Sequence, residues 1–299
     1  MRRLLVTRCL PALLIGWMLL PLATAKAEEK TSDGVKQRTE VYKKVGDVEL
    51  TMHIYEPADH TAQAKSPAIV FFFGGGWTSG SPKQFFPHCE LLAKEGMVAM
   101  AAEYRVASRH KVKADSCVAD AKSAVRWARA NAERLGIDPQ RIAAGGGSAG
   151  GHLAACTAAI DGFEESSEDA TISSRPDALV LFNPAVILAP EKQLPPAVLK
   201  RMNGLAARMG TEPENLSPYH HLHAKMPPTI IFHGKADETV PYVTVERYAE
   251  KMRELGCLCK LVGYDDAGHG FFNQGRGDNS AYQDTTKQMT QFLRDQGFL

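Results

Sequence analysis

The chain has 299 residues, of which 44% are hydrophobic and 23% are charged, and its formal net charge is +1. This composition is typical of an ordinary globular protein and leaves room for one large α/β domain. A net charge so close to zero gives no electrostatic reason to expect nucleic acid or an anionic membrane surface as a partner.

Residues 1–25 have the features of a secretory signal peptide. Arginines come first, an apolar stretch of roughly fourteen residues follows, and small residues close the segment. Residues 23–25 and 25–27 both fit a small-x-small cleavage site. An uncleaved membrane anchor is the alternative, but the stretch is shorter than the ~20 apolar residues that a spanning helix needs. We therefore expect a secreted or periplasmic protein with no stable membrane insertion after cleavage.

The next segments set the start of the folded domain. Residues 26–38 show no apolar periodicity and are predicted to be a flexible lead-in. Apolar and polar residues alternate over residues 48–54, and Gly46-Asp47 supplies a turn from the preceding segment 39–45, which predicts an antiparallel β-hairpin. We expect a single domain over residues 39–299.

The rest of the chain alternates between strand and helix patterns. Continuous apolar runs, typical of covered strands in a parallel sheet, occupy residues 68–73, 98–102, 141–144, 178–182, 229–232 and 257–262. Two of the intervening segments repeat apolar residues at helical spacing and stop at Gly136 and Gly256. The pattern predicts a mostly parallel sheet of about eight strands with helices on both faces.

The segment 141–155, RIAAGGGSAGGHLAA, fits two incompatible motifs. Residues 145–150 satisfy the dinucleotide-binding pattern G-x-G-x-x-G, and residues 146–150 satisfy the nucleophile-elbow pattern G-x-S-x-G. A dinucleotide site belongs in the first βα unit and needs an acidic residue at the end of the next strand, whereas this segment follows the fifth predicted strand. An elbow needs small residues around Ser148 so that the backbone can make a strained turn before a helix at Ala149. We therefore favour the elbow and expect no cofactor.

The partners that a nucleophilic serine requires follow it in the order acid, then histidine. Asp237 lies in the loop after the strand 229–232, and His269 lies in the loop after the last strand. Both loops belong at the carboxyl edge of the sheet, where Ser148 also lies, so His269 can take the serine proton and Asp237 can orient the imidazole. Asp237 is preferred over three rival acids: Glu238, Asp265 and Asp266.

The other histidines are more simply explained by structure than by chemistry. His233, at a strand end, is predicted to brace its loop, and His152 is predicted to pack against the elbow. The cluster His220, His221 and His223 could suggest a metal, but no matched carboxylate or cysteine pattern accompanies it. The five cysteines after the signal peptide are an odd number with no C-x-x-C pair, so neither a metal site nor a particular disulfide pairing is indicated.

The run Gly74-Gly75-Gly76 ends the first parallel strand. Glycines leave their backbone N–H groups uncovered, which suits an oxyanion hole opposite the N–H of Ala149. A simple tight turn is the alternative explanation of three glycines. Their place beside the elbow and the acid–histidine pair favours the oxyanion hole.

Taken together, these segments resemble the α/β-hydrolase superfamily, in its hormone-sensitive-lipase-like group with the bacterial acetyl-xylan and feruloyl esterases. The resemblance covers nearly all of residues 39–299 and rests on the motifs GGGW, EYRV, GGGSAGGHLAA, HGKADETVP and GHGF. It implies the α/β-hydrolase fold, a serine esterase activity and no cofactor. It also implies two sets of site residues: a triad of Ser148, Asp237 and His269, and an oxyanion hole of Gly75, Gly76 and Ala149, with Gly74 a weaker candidate.

One position departs from the family pattern. The family usually has a histidine before the three glycines, and this chain has Phe73. Because the oxyanion donors are main-chain groups, the hole can remain, but the polar bracing that the histidine would give its loop is lost. The resemblance also implies that Tyr104-Arg105 supports the elbow from below.

Residues 187–228 separate two predicted strands and are expected to form a small, partly helical cap over the site. We therefore expect an exported serine carboxylic-ester hydrolase that acts through an acyl-enzyme and removes short acyl groups, such as acetyl, from a carbohydrate or a similar small ester. The alternatives are a feruloyl-type esterase, a serine exopeptidase on the same fold and a catalytically silent binding protein. The oligomeric state is left open.

Overall fold

A computed structural model describes residues 30–299 of the chain. The predicted signal peptide and the first residues of the predicted lead-in lie outside the described residues. No helix in the described part of the chain has both the length and the apolar character that crossing a bilayer requires.

Within residues 30–299, one sheet of nine strands forms the centre of the domain. The strands are β1 Lys30–Ser32, β2 Val35–Val45, β3 Val48–Pro57, β4 Ser66–Phe72, β5 Val98–Ala102, β6 Ile137–Gly147, β7 Ala178–Phe182, β8 Thr229–Gly234 and β9 Cys259–Tyr264. Their spatial order is β1-β2-β3-β5-β4-β6-β7-β8-β9. Strands β1, β2 and β3 pair antiparallel, β3 joins β5 antiparallel, and every pair from β5 to β9 is parallel. The predicted N-terminal hairpin and mostly parallel sheet are confirmed.

The sheet has one strand more than predicted, because residues 30–38 are not a flexible lead-in. They form β1 and the start of β2, which pair across a turn at Asp33-Gly34. Both turn residues have positive φ, 50° and 78°, as in the two-residue hairpins that Asp-Gly sequences favour. The side chain of Val35 is fully buried beyond the turn, which fixes the start of β2 to the core. Most other residues of β2 are only partly buried, so this strand lacks the apolar alternation on which the prediction relied.

Helices cover both faces of the sheet, as predicted. They are α1 Phe86–Lys94, α2 Ala107–His110, α3 Ala114–Ala130, α4 Ala132–Leu135, α5 Ala149–Ala159, α6 Pro196–Met202, α7 Ala206–Met209, α8 Tyr242–Glu254 and α9 Ser280–Asp295. Short 3₁₀ turns lie at Pro82–Phe85, Pro213–Leu216 and Pro218–His221. Buried residues of α3, α5 and α8 join one core cluster, and buried residues of α1 and α9 join the other.

Alternate side chains of β4 show how the two clusters share the sheet. Ala68, Val70 and Phe72 point into the first cluster, and Ile69 and Phe71 point into the second. A strand buried on both faces needs such an unbroken apolar run, which is the pattern seen in the sequence. The carboxyl ends of β4, β6, β8 and β9 consequently meet at one edge of the sheet, where the predicted site residues lie.

The predicted helix stops are also confirmed. Gly136 follows α4 and Gly256 follows α8, with φ of 63° and 78° respectively. A left-handed residue after the last turn is the conformation in which glycine ends helices at little steric cost.

The segment between β7 and β8 carries α6, α7 and two of the 3₁₀ turns. We call residues 187–228 the cap, with the boundaries predicted from the sequence. Buried Met209 and Leu216 fix it to the domain, and the N–H of Tyr219 donates to the carbonyl of Val186, outside the cap, at 3.0 Å. The cap is therefore anchored at its base, while many of its other side chains remain exposed.

Candidate active site

Ser148 occupies the turn between β6 and α5, and we call residues 146–150 the elbow. Its φ of 54° and ψ of −119° are sparsely populated for a residue with a side chain. The N–H of Ser148 donates to the carbonyl of Phe182 at 2.9 Å, which fixes the turn to the neighbouring strand. A Cβ at Gly146 would lie 2.5 Å from the backbone of Gly150, and one at Gly150 would lie 2.0 Å from Phe72 O. The glycines of the motif are therefore required by close backbone approach.

The structure brings Ser148, His269 and Asp237 into one hydrogen-bonded line. Ser148 Oγ lies 2.9 Å from His269 Nε2, and His269 Nδ1 lies 2.7 Å from Asp237 Oδ2. The three residues lie in the loops after β6, β9 and β8, as predicted from the order of the motifs. With the proton on Nδ1 donated to the carboxylate, Nε2 is free to accept the proton of the serine hydroxyl.

Asp237 is held in its charged form by several donors. The N–H groups of Thr239 and Val240 donate to Oδ1 at 2.8 and 2.9 Å, and His233 Nε2 lies 3.3 Å from Oδ2. Burial alone would raise the pKa of the Asp237 carboxyl, but the hydrogen bonds with His233, His269 and the Val240 N–H outweigh burial and hold this pKa well below its usual range. A carboxylate that stays ionised can stabilise an imidazolium at His269.

None of the three rival acids hydrogen-bonds to His269 within residues 30–299, where Asp237 is the acid that contacts it. Asp265 instead pairs with Lys235 at 2.7 Å, and the backbone carbonyl of Glu238 accepts a hydrogen bond from Arg201. His233 donates from Nε2 to the carbonyl of Val240 at 2.8 Å, so it braces the loop of Asp237 as its position in the sequence indicated.

Residues 73–80, which we call the glycine loop, face the elbow. Gly75 and Gly76 have φ of 132° and 62°, and a Cβ at Gly75 would lie 2.1 Å from Ser79 O. The N–H of Gly74 donates to Gln84 Oε1 at 2.7 Å and is therefore occupied. No acceptor within residues 30–299 takes the N–H of Gly75 or Gly76. The first-turn N–H of Ala149 likewise has no intrahelical acceptor.

The glycine loop is braced by residues that the sequence did not single out. Gln84 Nε2 donates to Asn273 Oδ1 at 2.9 Å, and Asn273 Nδ2 donates to the carbonyl of Gly270 at 2.8 Å. The amide of Gln84 thus joins Gly74, through Asn273, to the loop that carries His269. Gln84 and Asn273 are 189 residues apart, so no local pattern could reveal this bridge.

Phe73, where the family usually has histidine, is supported by a different contact. Its ring stacks on Tyr104 with centroids 4.1 Å apart and an interplanar angle of 16°. The Tyr104 hydroxyl donates to the carbonyl of Phe73 at 2.7 Å. Tyr104 therefore supports the glycine loop directly rather than the elbow, and Arg105 pairs with Asp120 through Nε at 2.8 Å.

His152 joins the glycine loop to the cap. Trp77 Nε1 donates to His152 Nδ1 at 3.0 Å, and His152 Nε2 donates to the carbonyl of Leu216 at 2.7 Å. Burial lowers the pKa of His152 to about 4, and the Leu216 carbonyl opposes this shift only in part. His152 is thus neutral at neutral pH, and it does more than pack against the elbow as the sequence suggested.

Two cavities flank Ser148. The first, of about 160 Å³, lies under the cap and is mainly apolar. Its walls include Val198, Met202, Leu205, Val240 and Pro241, and we call it the apolar cavity. The second, of about 470 Å³, is lined by His269 and by polar side chains, and we call it the polar cavity. Its walls include Ser81, Gln84, Asn183, Asn273 and Arg276.

The described residues contain no group of three or more histidine, cysteine or acidic side chains that could hold a metal ion. The clustered histidines His220, His221 and His223 bond to different groups, namely Ser217 Oγ, the carbonyl of Glu214 and the guanidinium of Arg175. The five cysteines of the described residues are buried and free.

Comparison with known proteins identifies the family. A protein-family model described as BD-FAE matches residues 52–252. The chain belongs to this family. Its members are a hormone-sensitive-lipase-like group of α/β-hydrolase esterases, as the motifs had indicated. Esterase LipC of Mycobacterium tuberculosis is 30% identical to this BD-FAE chain over an alignment of 220 positions, which covers 69% of the chain and 53% of LipC. The chain thus spans about half the length of the curated relatives that it matches first.

Matches to solved structures extend over more of the BD-FAE chain than the match to LipC does. Esterase 2 of Thermogutta terrifontis with propionate bound is 55% identical, with a TM-score of 0.83, and the match covers 88% of this chain and 95% of that one. The same esterase phosphorylated by paraoxon is 54% identical, with a TM-score of 0.81 and coverage of 88% and 95%. These matches confirm the α/β-hydrolase fold.

Proposed function

We propose that the chain is a serine carboxylic-ester hydrolase that works through an acyl-enzyme. The observation that carries this proposal is the line from Ser148 through His269 to Asp237, set opposite the uncovered N–H groups of Gly75 and Gly76. A silent binding protein has no need for a serine held in a strained turn within 2.9 Å of a histidine.

Ser148 Oγ attacks the ester carbonyl carbon while His269 Nε2 accepts the serine proton. The negative charge that develops on the carbonyl oxygen is stabilised by the N–H groups of Gly75, Gly76 and Ala149 and by the amino end of α5. The carbon–oxygen bond to the alcohol then breaks as His269 gives its proton to the leaving oxygen. Water, deprotonated by His269, hydrolyses the acyl-serine ester and restores Ser148.

The two cavities take the two parts of the ester. His269 must reach the leaving oxygen to protonate it, and His269 lines the polar cavity but not the apolar one. The alcohol part therefore occupies the polar cavity, and the acyl chain occupies the apolar cavity.

The size of the apolar cavity supports a short acyl group. Its volume of about 160 Å³ is well below the roughly 300–1,000 Å³ of common ligand pockets. Thermogutta terrifontis esterase 2, which is similar over most of the chain, has a structure with propionate bound. We propose acetyl and propionyl esters, and the polar side chains of the other cavity favour a carbohydrate or a similar polar alcohol. A feruloyl ester fits this proposal less well, because its substituted aromatic ring would have to occupy the small apolar cavity under the cap.

A serine exopeptidase is the candidate that these cavities support least. An exopeptidase that acts from the amino terminus needs an acidic group to bind the charged amino terminus of its substrate. Within residues 30–299, neither cavity is lined by aspartate or glutamate.

The test of the activity compares hydrolysis of 4-nitrophenyl acetate, propionate, butyrate and octanoate with that of aminoacyl nitroanilides. We expect activity on the short esters, a steep loss towards octanoate and no release from the anilides. Ser148→Ala should lower kcat by about four orders of magnitude or more. A fluorophosphonate probe should label the wild type and not this variant, and equal labelling of both would remove Ser148 from its role.

Export remains a proposal that rests on the first 25 residues. We propose that the mature protein is secreted or periplasmic. Determining its amino-terminal sequence after expression in a bacterial host tests this directly. A start at residue 26 or 28 in the periplasm or medium would support export, and an intact amino terminus in the cytoplasm would contradict it.

A further inference from the structure

The polar cavity is lined by an exposed arginine that has no hydrogen-bond or ion-pair partner within residues 30–299. Arg276 lines the cavity beside Gly270, the residue that follows His269, and Arg276 Nη2 would lie 3.9 Å from a Cβ at Gly270. Within residues 30–299, the Arg276 guanidinium makes no hydrogen bond and no ion pair. A guanidinium carries a fixed positive charge and five donors, in a fork that matches a carboxylate. Its donors are thus available to a ligand in the cavity.

Two of the three amides that line the polar cavity, Gln84 and Asn273, are already engaged, while Asn183 accepts from the N–H of Gly270 at 3.1 Å and keeps an Nδ2 without a partner in the described residues. Gln84 bonds to Gly74 and to Asn273, and Asn273 bonds to Gly270. These side chains shape the cavity and hold the loops, but most of their hydrogen-bonding capacity is used. Arg276 is left as the strongest recognition group on the side where the alcohol part of an ester lies.

The fixed charges that line the two cavities have one sign, because the ionised Asp237 lies behind His269 and lines neither cavity. Arg276 lines the polar cavity, and Arg201 and Arg208 line the apolar one, while no aspartate or glutamate of the described residues lines either. The whole chain has a formal net charge of only +1, so this positive character is local to the site. A cleft lined by one sign of charge raises the local concentration of ligands of the opposite sign.

Arg276 also borders an acidic region on its other side, where three of the four aspartates have partners of their own and Asp266 has none within residues 30–299. Asp265 pairs with Lys235, Asp284 accepts from the hydroxyl of Tyr264, and Asp278 accepts from Ser280. No carboxylate of the described residues lies within ion-pair distance of Arg276. The arginine therefore remains available to a ligand in the polar cavity.

We propose that Arg276 selects esters whose alcohol part carries a carboxylate, such as an acidic sugar or a hydroxy acid. This inference rests on the proposed esterase function and on the placement of the alcohol in the polar cavity. The carboxylate of the leaving group accepts hydrogen bonds from the Arg276 guanidinium while His269 protonates the leaving oxygen.

The experiment compares two esters that share the acetyl group, 4-acetoxybenzoate and its neutral methyl ester. The measured quantity is the ratio of kcat/KM for the anionic ester to kcat/KM for the neutral ester. The two esters differ in intrinsic reactivity, but this difference is the same for every variant and therefore cancels when the ratios of two variants are compared. We expect Arg276→Gln to lower this ratio about fivefold, as for a largely exposed charge pair, and Arg276→Lys to retain most of it.

Two further arginines serve as controls. Arg208→Gln removes the same charge beside Ser148 but from the apolar cavity, and should lower the ratio much less than Arg276→Gln does. Arg253→Gln removes a charge from the exposed end of α8, outside both cavities, and should leave both rates and the ratio unchanged. Added salt should lower the ratio in the wild type more than in Arg276→Gln, because exposed charge pairs are screened.

The outcomes separate this proposal from the one on which it rests. If the wild type hydrolyses neither ester, the proposed activity fails. If it hydrolyses both and Arg276→Gln leaves the ratio unchanged, the activity stands and the role of Arg276 is overturned. If Arg208→Gln lowers the ratio as much as Arg276→Gln does, the selectivity comes from the overall electrostatic field of the site. That result would also overturn the assignment to Arg276.

Discussion

The elbow and the cap both contact the apolar cavity, but they are built in opposite ways. In the elbow, a Cβ at Gly146, Gly147 or Gly150 would meet backbone or a buried ring at 2.5 Å or less. In the cap, a Cβ at Gly204 would meet nothing within 4 Å, and α6 and α7 are short helices with exposed faces. Close backbone contacts across the sheet thus hold the elbow, whereas in the proposed esterase the size of the acyl group would be set by cap side chains such as those of α6, which lies outside the sheet.

The largest effect should come from adding one methyl group to the elbow. In Gly150→Ala the new Cβ would lie 2.0 Å from Phe72 O, a backbone atom of β4 that cannot move aside. We expect the free energy of unfolding to fall by about 3 kcal/mol or more. Urea unfolding measures it. Gly204→Ala in the cap is the matched control and should change stability by less than about 1 kcal/mol.

Acid should lower the free energy of unfolding through two buried histidines, one of which, His152, joins the glycine loop to the cap. Burial lowers the pKa of His152 to about 4 and that of His88 to about 3, against about 6.5 in an unfolded chain. Between these pKa values the unfolded state therefore binds more protons than the folded state. The contribution of the two histidines to the free energy of unfolding is fully present above about pH 6.5 and is lost as pH falls towards 4 and then 3. Urea unfolding at several pH values should show the decline, and a flat profile from pH 7 to 4 would contradict it.

His88 provides a control for the acid effect. Both of its ring nitrogens are buried without a hydrogen-bond partner in the described residues, and aromatic rings surround it, including Phe182 and Phe272. A buried polar group without a partner costs about 1–3 kcal/mol. His88→Phe should therefore stabilise the protein at neutral pH or leave it unchanged, and should reduce the loss of stability in acid. A large loss of stability at pH 7 would contradict this account.

The bridge made by Gln84 should affect turnover more than binding. Gln84→Met keeps the length of the side chain but removes the acceptor of the Gly74 N–H and the donor to Asn273. With the glycine loop less fixed, we expect kcat on 4-nitrophenyl acetate to fall about tenfold to a hundredfold, with KM changed little. Gln274→Met, an exposed neighbour of Asn273, is the control and should match the wild type. A rise in KM alone would place Gln84 in substrate binding instead.

The smallest effect is expected from the cap. Met202 lines the apolar cavity from α6. Met202→Ala should widen this cavity and raise the ratio of kcat/KM for 4-nitrophenyl octanoate over acetate by about threefold to tenfold, since each buried methylene is worth about 0.8 kcal/mol. An unchanged ratio would mean that the acyl chain does not lie under the cap.

The sequence predicted those parts of the site that local rules determine. A strained turn needs glycines around Ser148, and chain order places Asp237 and His269 in loops at the same edge of a parallel sheet. These rules need no knowledge of distant contacts. The hairpin at Asp33-Gly34 was also marked by a local turn motif, but the polar residues of β2 concealed its strand.

The remaining parts depend on contacts between distant segments. Gln84 and Asn273 have no motif, and their roles exist only because the fold brings them together. His152 was placed near the elbow, yet its bonds to Trp77 and to the cap require three separate segments to meet. Such residues carry no periodicity or turn chemistry, so a single sequence cannot reveal them.

The bridge from Gly74 through Gln84 to Asn273 and Gly270 has a mechanical consequence. It ties the glycine loop, which carries the proposed oxyanion donors, to the loop of the proposed proton acceptor His269. In the proposed mechanism, this tie would make the two loops move together, so that the gap between them would change less than the position of either loop. Substrate would then enter and leave through small collective movements while the spacing that the proposed reaction needs is preserved.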